Sequence, residues 1–236
     1  SCGIAAKQMA DKVNARIVSN GVKGEVHTYS VTDYAESVIN AASGVYSDKA
    51  VNAVKAMLNY GTAAQQYFGY NTDNPANSIM TDDDKNMDMV GFNTYTGKLV
   101  NADSVSGISY YGSSLVLESD TILRNYFELS DGYSIDNYTF YVKDKDGNKN
   151  IIAPQKTDAS LYYIDISNVK AYELADNVNI YVQKNGDSED KIMMLEYGAY
   201  VYARYVDKYL DNTALKNLMT AMYHYCNAAT EYANIY

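Results

Sequence analysis

A chain of 236 residues with 47% hydrophobic and 20% charged residues is long enough to bury a core and has no disordered composition. Its net charge of −10 creates a field that repels phosphate backbones, which excludes nucleic acid as a partner. No run approaches the roughly 18 consecutive apolar residues of a membrane span, and no basic amphipathic segment points to a lipid surface.

In chain order, Val13, Ala15 and Ile17 alternate with polar residues, Ser19-Asn20-Gly21 marks a turn, and Val26 to Ser30 resumes an extended pattern, which predicts a β-hairpin. From Thr32 onward, Tyr34, Ala35, Val38 and Ile39 take helical spacing, with Ser30 or Thr32 as the cap. A longer helix capped by Asp48 reaches about Phe68. Its buried positions are expected at Val51, Val54, Met57, Leu58, Gly61, Ala64 and Phe68, with Asn52, Lys55, Asn59 and Gln66 outward.

Residues 71–165 differ in character. Asn71 to Pro75 is a loop signal, and Asp82, Asp83 and Asp84 either cap a short helix or solvate a loop. Short strands are predicted at Leu115 to Glu118, Ile122 to Leu129, Tyr138 to Lys143, Lys149 to Ile152 and Leu161 to Ile166, the pattern of a sandwich or partial barrel. Asp144 to Asn148 resembles the opening of a calcium loop but lacks the distal bidentate Glu, and the letters of a hairpin turn are the same, so no metal is assigned there.

Beyond residue 165 the first pattern returns. Asn177 to Gln183 is extended, Asn185-Gly186 turns, and Ile192 to Leu195 returns. A helix then runs from about Tyr197 to Tyr209 and a second from Thr213 to about Asn234, with Leu215, Leu218, Met219, Met222, Cys226 and Ala229 on its apolar side. The motif Ala-Met-x-x-Tyr-x-x-Ala-Ala-x-x-Tyr occurs at Ala56 to Tyr67 and again at Ala221 to Tyr232, an offset of 165 that also aligns Val13, Asn20 and Gly21 with Val178, Asn185 and Gly186. The expected fold is α+β. A ββαα unit is duplicated as residues 1–70 and 166–236, with its helical hairpins packed together, and an antiparallel sandwich-like segment is inserted at 71–165, all in one compact domain. Ala63, Ala64, Ala228 and Ala229 would permit close helix approach, with Tyr60, Tyr67, Tyr225 and Tyr232 on the flanks. Cys226 stands where the first copy has Gly61. A bridge to Cys2 stays open, but two thiols are preferred, Cys226 acting as a small buried hydrophobe.

Catalytic signatures are missing. The two histidines, His27 and His224, sit in no nucleophile, glycine-loop or zinc motif, and a solvated role is expected for both. Paired carboxylates remain conceivable for glycoside hydrolysis, but no acidic residue lies in an active-site motif and there is no Trp to stack a sugar. The expectation is therefore no enzyme, no cofactor and no metal. With 26 Tyr, recognition by phenol rings is the better prospect, because a Tyr offers wide contact area and a polar tip at small entropic cost. Tyr200, Tyr205, Tyr209 and Tyr223, read together on the second helical hairpin, are the candidate ligand-binding residues.

Four segments carry a resemblance: VKAMLNYGTAAQQYFGYNTDNPAN at 54–77, SSLVLESDTILRNYFEL at 113–129, YYIDISNVKAYELAD at 162–176 and LKNLMTAMYHYCNAATEY at 215–232. Together they resemble a module recurrent in large secreted or wall-attached proteins of gut Firmicutes, a class that includes adhesins, polysaccharide-capturing proteins and immunoglobulin-binding superantigens. The resemblance implies an extracellular, non-catalytic role and not one of these in particular; the absence of an initiator Met and leader is read as a mature product or an excised segment, and a monomeric module within a longer chain is expected. Its expected partner is a host protein, most specifically an immunoglobulin variable region, or else a polysaccharide of the starch type. A spacer or assembly role is the third alternative.

Overall fold

The computed structural model describes residues 4–117, 121–167, 169–188 and 191–234. Two compact units emerge, one built from residues 1–90 with 212–236 and the other from residues 91–211.

The first unit opens with the expected hairpin in two short ladders. β1 (Val13–Ala15) pairs with β4 (His27–Tyr29), and β2 (Val18–Ser19) with β3 (Val22–Lys23). Asn20 and Gly21 both take positive φ, 48° and 81°, the geometry of a tight turn whose twist matches its strands. Every residue from Lys12 to Tyr29 is exposed. α1 (Val31–Ile39) starts at Ser30, which exchanges hydrogen bonds with Asp33 in a capping box. α2 (Asp48–Phe68) is capped by Ser47, with Asp48 as its first residue, and ends at Gly69 in the left-handed region.

Two positions of α2 are the reverse of what was expected. Asn59 is buried, while Phe68 is 38% exposed. The cause is the segment that follows the helix, which turns back over a polar stripe. Asn59 donates to the Asp84 carbonyl at 2.8 Å and accepts from Asn77 Nδ2 at 2.8 Å. Thr62 accepts from the Asn77 N–H at 2.9 Å, and Gln65 accepts from the Ala76 N–H at 2.8 Å. These bonds satisfy backbone that would otherwise be orphaned. The acidic run forms the short helix α3 (Asp82–Lys85), capped by Thr81, and its Asp84 carboxylate accepts a 2.8 Å bond from Lys55. α5 (Thr213–Ala233) packs lengthwise on α2. Cys226 is a buried free thiol; Cys2 lies outside the described residues.

The second unit is a sandwich of two antiparallel sheets. One has the order β10-β11-β7-β6, from β6 (Ile108–Leu117), β7 (Thr121–Leu129), β10 (Gln155–Lys156) and β11 (Tyr162–Ile166). The other has the order β5-β13-β12-β8-β9, from β5 (Lys98–Val100), β8 (Tyr138–Lys143), β9 (Lys149–Ile152), β12 (Val178–Lys184) and β13 (Ile192–Tyr197). Alternate side chains meet between the sheets, where Ile108, Phe127 and Ile164 face Phe140, Ile180, Val182, Met193 and Leu195. α4 (Ala199–Tyr209) follows β13 and touches β6.

The duplicated ββαα unit is not the fold. Thirteen strands in four sheets and five α-helices are found among the described residues, in a mixed but mainly β chain. The first hairpin is a solvent-exposed ribbon, whereas its sequence counterpart supplies β12 and β13, two central strands of the five-stranded sheet. α4 and α5, expected as one helical hairpin, belong to different units. The physical reason is the partner each segment finds. β12 pairs with β8 and β13 with β5, so the sandwich closes only by taking strands from beyond residue 165. The turn at Asp144 is closed by its own atoms, its carboxylate accepting from the Asp146 and Asn148 N–H groups and from Asn148 Nδ2.

Candidate functional site

Of the four tyrosines read from the sequence, the structure brings two together. Tyr205 and Tyr209 lie one turn apart on α4 with ring centroids 5.3 Å apart, and they are 48% and 63% exposed. Tyr202 extends the row, stacking on Tyr205 at 6.3 Å. Tyr200 is not part of this face. Its ring is buried against Phe92 at 5.6 Å and Tyr95 at 5.0 Å, because helical rotation turns position 200 toward the same side as Val201, Ala203 and Val206. Tyr223 lies on α5 in the other unit, half-buried, with its ring edge-on to His224.

The placement of α4 has a local cause. At its start, Gly198 lies so close to residues 176 and 177 that a Cβ there would stand 2.6 Å from the Asp176 carbonyl oxygen. Only glycine lets β13 hand over to the helix at this distance. The apolar side of α4 is then covered, which leaves Tyr205, Lys208 and Tyr209 in solvent with Arg204 half-buried beside them. Tyr197, Val201, Arg204, Tyr205, Lys208 and Tyr209 line a shallow cleft of about 220 Å³. Burial pushes the Tyr197 phenol well above its ordinary value, so it stays a neutral hydrogen-bonding group. Lys208 sits 4.9 Å over the Tyr209 ring. In a chain of net charge −10, this cleft combines aromatic surface with two cations.

Tyr197, Tyr202, Arg204 and Lys208 were missed by the sequence reading. Within α4 the spacing 201, 204, 205, 208, 209 is one helical stripe that could have found Arg204 and Lys208, and Tyr202 lies three residues before Tyr205; Tyr197 ends β13 and carries no such signal. A second cleft, of about 230 Å³, lies in the first unit between α1, α2 and α5, with Tyr34, Tyr46, Tyr225 and Tyr232 around an alanine-rich floor. Its floor includes Met57, which is half-buried rather than a core residue as expected.

The histidines have ordinary surroundings. His27 is exposed on β4, and His224 Nε2 lies 2.9 Å from the Asp88 carbonyl oxygen, a tether between α5 and the loop before residue 90. Among the described residues, no three His, Cys, Asp or Glu side chains gather as a metal-binding group, and no helix is long and apolar enough to cross a membrane. No protein-family model matches the chain, and no characterised protein or solved structure matches it at a significant level.

Proposed function

We propose that the chain is a non-catalytic recognition module of an extracellular surface protein, and that it binds a partner protein through the tyrosine row of α4. The observation that carries this reading is the Tyr202–Tyr205–Tyr209 row, exposed at Tyr205 and Tyr209 and half-buried at Tyr202, beside Arg204 and Lys208 on α4. Tyrosine and arginine are enriched among interface anchors, tyrosine because it gives a large contact area and a polar tip at small entropic cost, and arginine because its planar guanidinium makes several directed hydrogen bonds. A helix buried along its other side presents those anchors in a fixed geometry, and so loses little freedom on binding. The most specific partner is an immunoglobulin variable region, a choice that rests on the resemblance of the four framework segments to surface modules of that class.

The test is a titration of immobilised domain with polyclonal Fab fragments, repeated with the Tyr205→Ser/Tyr209→Ser variant. Saturable binding by a subset of Fabs, lost by at least about tenfold in the variant, supports the reading. Absence of binding at tens of micromolar, or equal binding by the variant, overturns it.

A further inference from the structure

The outer face of the four-stranded sheet carries an ordered array that neither the core nor the α4 cleft uses. Register aligns Gln155, Tyr163, Tyr126 and Gly112 in one row across all four strands, and Asp165, Arg124 and Ser114 in the next. The side chains opposite them, Leu123, Phe127 and Ile164, are buried, so these rows face outward.

A bulge in β6 shapes the end of the first row. Pairing slips between Tyr110 and Gly112, so Tyr111 is the extra residue. Tyr110 turns inward beside Phe127, while Tyr111 and Gly112 both fall on the outer face, and Tyr111 is 64% exposed. Apart from its neighbours in the chain, no residue comes within 4 Å of the place a Cβ would take on Gly112. The missing side chain leaves an opening over the backbone between Tyr111, the neighbour of Gly112 in the chain, and Tyr126, its cross-strand partner, such as glycine in a strand provides where a ligand must come close.

The polar groups around it are held in place. Arg124 binds Asp165 through two bonds of 2.7 and 2.8 Å and lies 4.0 Å over the Tyr163 ring. Tyr163 donates to Gln155 at 2.6 Å, and Ser114 bonds the Tyr126 hydroxyl at 3.3 Å. Arg124 and Asp165 cancel each other's charge, which leaves the exposed Glu128 as the uncompensated charge of β7 on this face. Such a surface gives no purchase to an anionic chain. It offers what a neutral sugar needs, namely rings for the apolar C–H side of a pyranose and fixed amide, hydroxyl and carboxylate groups for its hydroxyls.

We infer that this face is a binding site for a neutral polysaccharide, with the Gly112 opening between Tyr111 and Tyr126 as its central subsite. The site is independent of the α4 row and of any protein partner.

Calorimetric titration with maltohexaose, cellohexaose, mannohexaose and xylohexaose tests it, with hexagalacturonate as the anionic counterpart. Saturable binding of at least one neutral hexasaccharide is expected, weakened by at least about tenfold in Gly112→Leu and in Tyr111→Ser and unchanged in Tyr205→Ser/Tyr209→Ser. The space at Gly112 and the exposure of Tyr111 let both variants fold, which their melting temperatures check. The inference is overturned if no neutral probe binds, if both sheet variants bind as well as the parent chain, if the α4 variant loses the sugar, or if hexagalacturonate binds more tightly.

Discussion

The ring of Tyr60 on α2 stacks on the ring of Tyr225 on α5, with centroids 5.8 Å apart and planes 22° from parallel. These two residues are separated by 165 positions, the offset of the sequence repeat. α2 and α5 themselves obey the same offset at both ends, and each has 21 residues. A residue that meets its own duplicate places the local pseudo-symmetry of the repeat at the α2–α5 seam.

That stacking is measurable. Tyr60 is nearly buried, and burial raises the pKa of the Tyr225 phenol. In a double-mutant cycle of Tyr60→Leu and Tyr225→Leu, the coupling expected from equilibrium denaturation is about 0.5 to 1.5 kcal/mol. Additive single effects would place the pair outside the energetics of the seam.

The duplicated methionines are predicted to differ. Met222 is fully buried, so Met222→Ala should cost about 2 to 5 kcal/mol. Met57 is half-buried at the first-unit cleft, so Met57→Ala should cost about 1 kcal/mol, because its site can stay wet. Urea unfolding of the two variants gives the comparison.

The polar stripe of α2 should be more sensitive than its composition implies. Asn59→Ala strips the Asp84 carbonyl and Asn77 Nδ2 of their partner, and Asn77 is 9% exposed. An unpaired buried polar group costs about 1 to 3 kcal/mol, to be read as a loss in denaturation free energy and as faster amide exchange at Asn77.

Acid should release the same loop. The hydrogen bond from Lys55 holds the Asp84 carboxyl below its ordinary value. A depressed folded-state value means that this contribution is complete above the unfolded value, about 3.9, and is lost as pH falls through the lower folded value. With both side chains about a quarter exposed, the contribution should be no more than about 1 kcal/mol. Melting temperatures of the parent chain and Lys55→Met, taken from pH 5 down to pH 2.5 or about there, should converge at the acid end.

Much of the local structure was legible. The Ser30 and Asp48 regions mark helix starts, Asn20-Gly21 marks a tight turn, and the alternation in Tyr138 to Lys143 marks a strand, all because capping and pleating depend on neighbours in sequence. Burial of the α2 face was not legible. Asn59 reads as a solvent residue until the loop supplying the Asn77 and Asp84 partners is in place. Tyr200 and Tyr205 have the same letter, and only the packing of α4 buries one and exposes the other.

By itself, the sequence determined most of the elements and the two matched long helices, since those follow from short-range periodicity and an internal repeat. Only the tertiary structure decided that the second hairpin becomes central strands of a sandwich while the first stays exposed, and that α4 and α5 belong to different units. The physical reason is that strand pairing and side-chain burial are settled by whichever distant segment satisfies a backbone or covers a ring. Two copies with the same local pattern diverge once β5 and β8 are present to pair with only one of them.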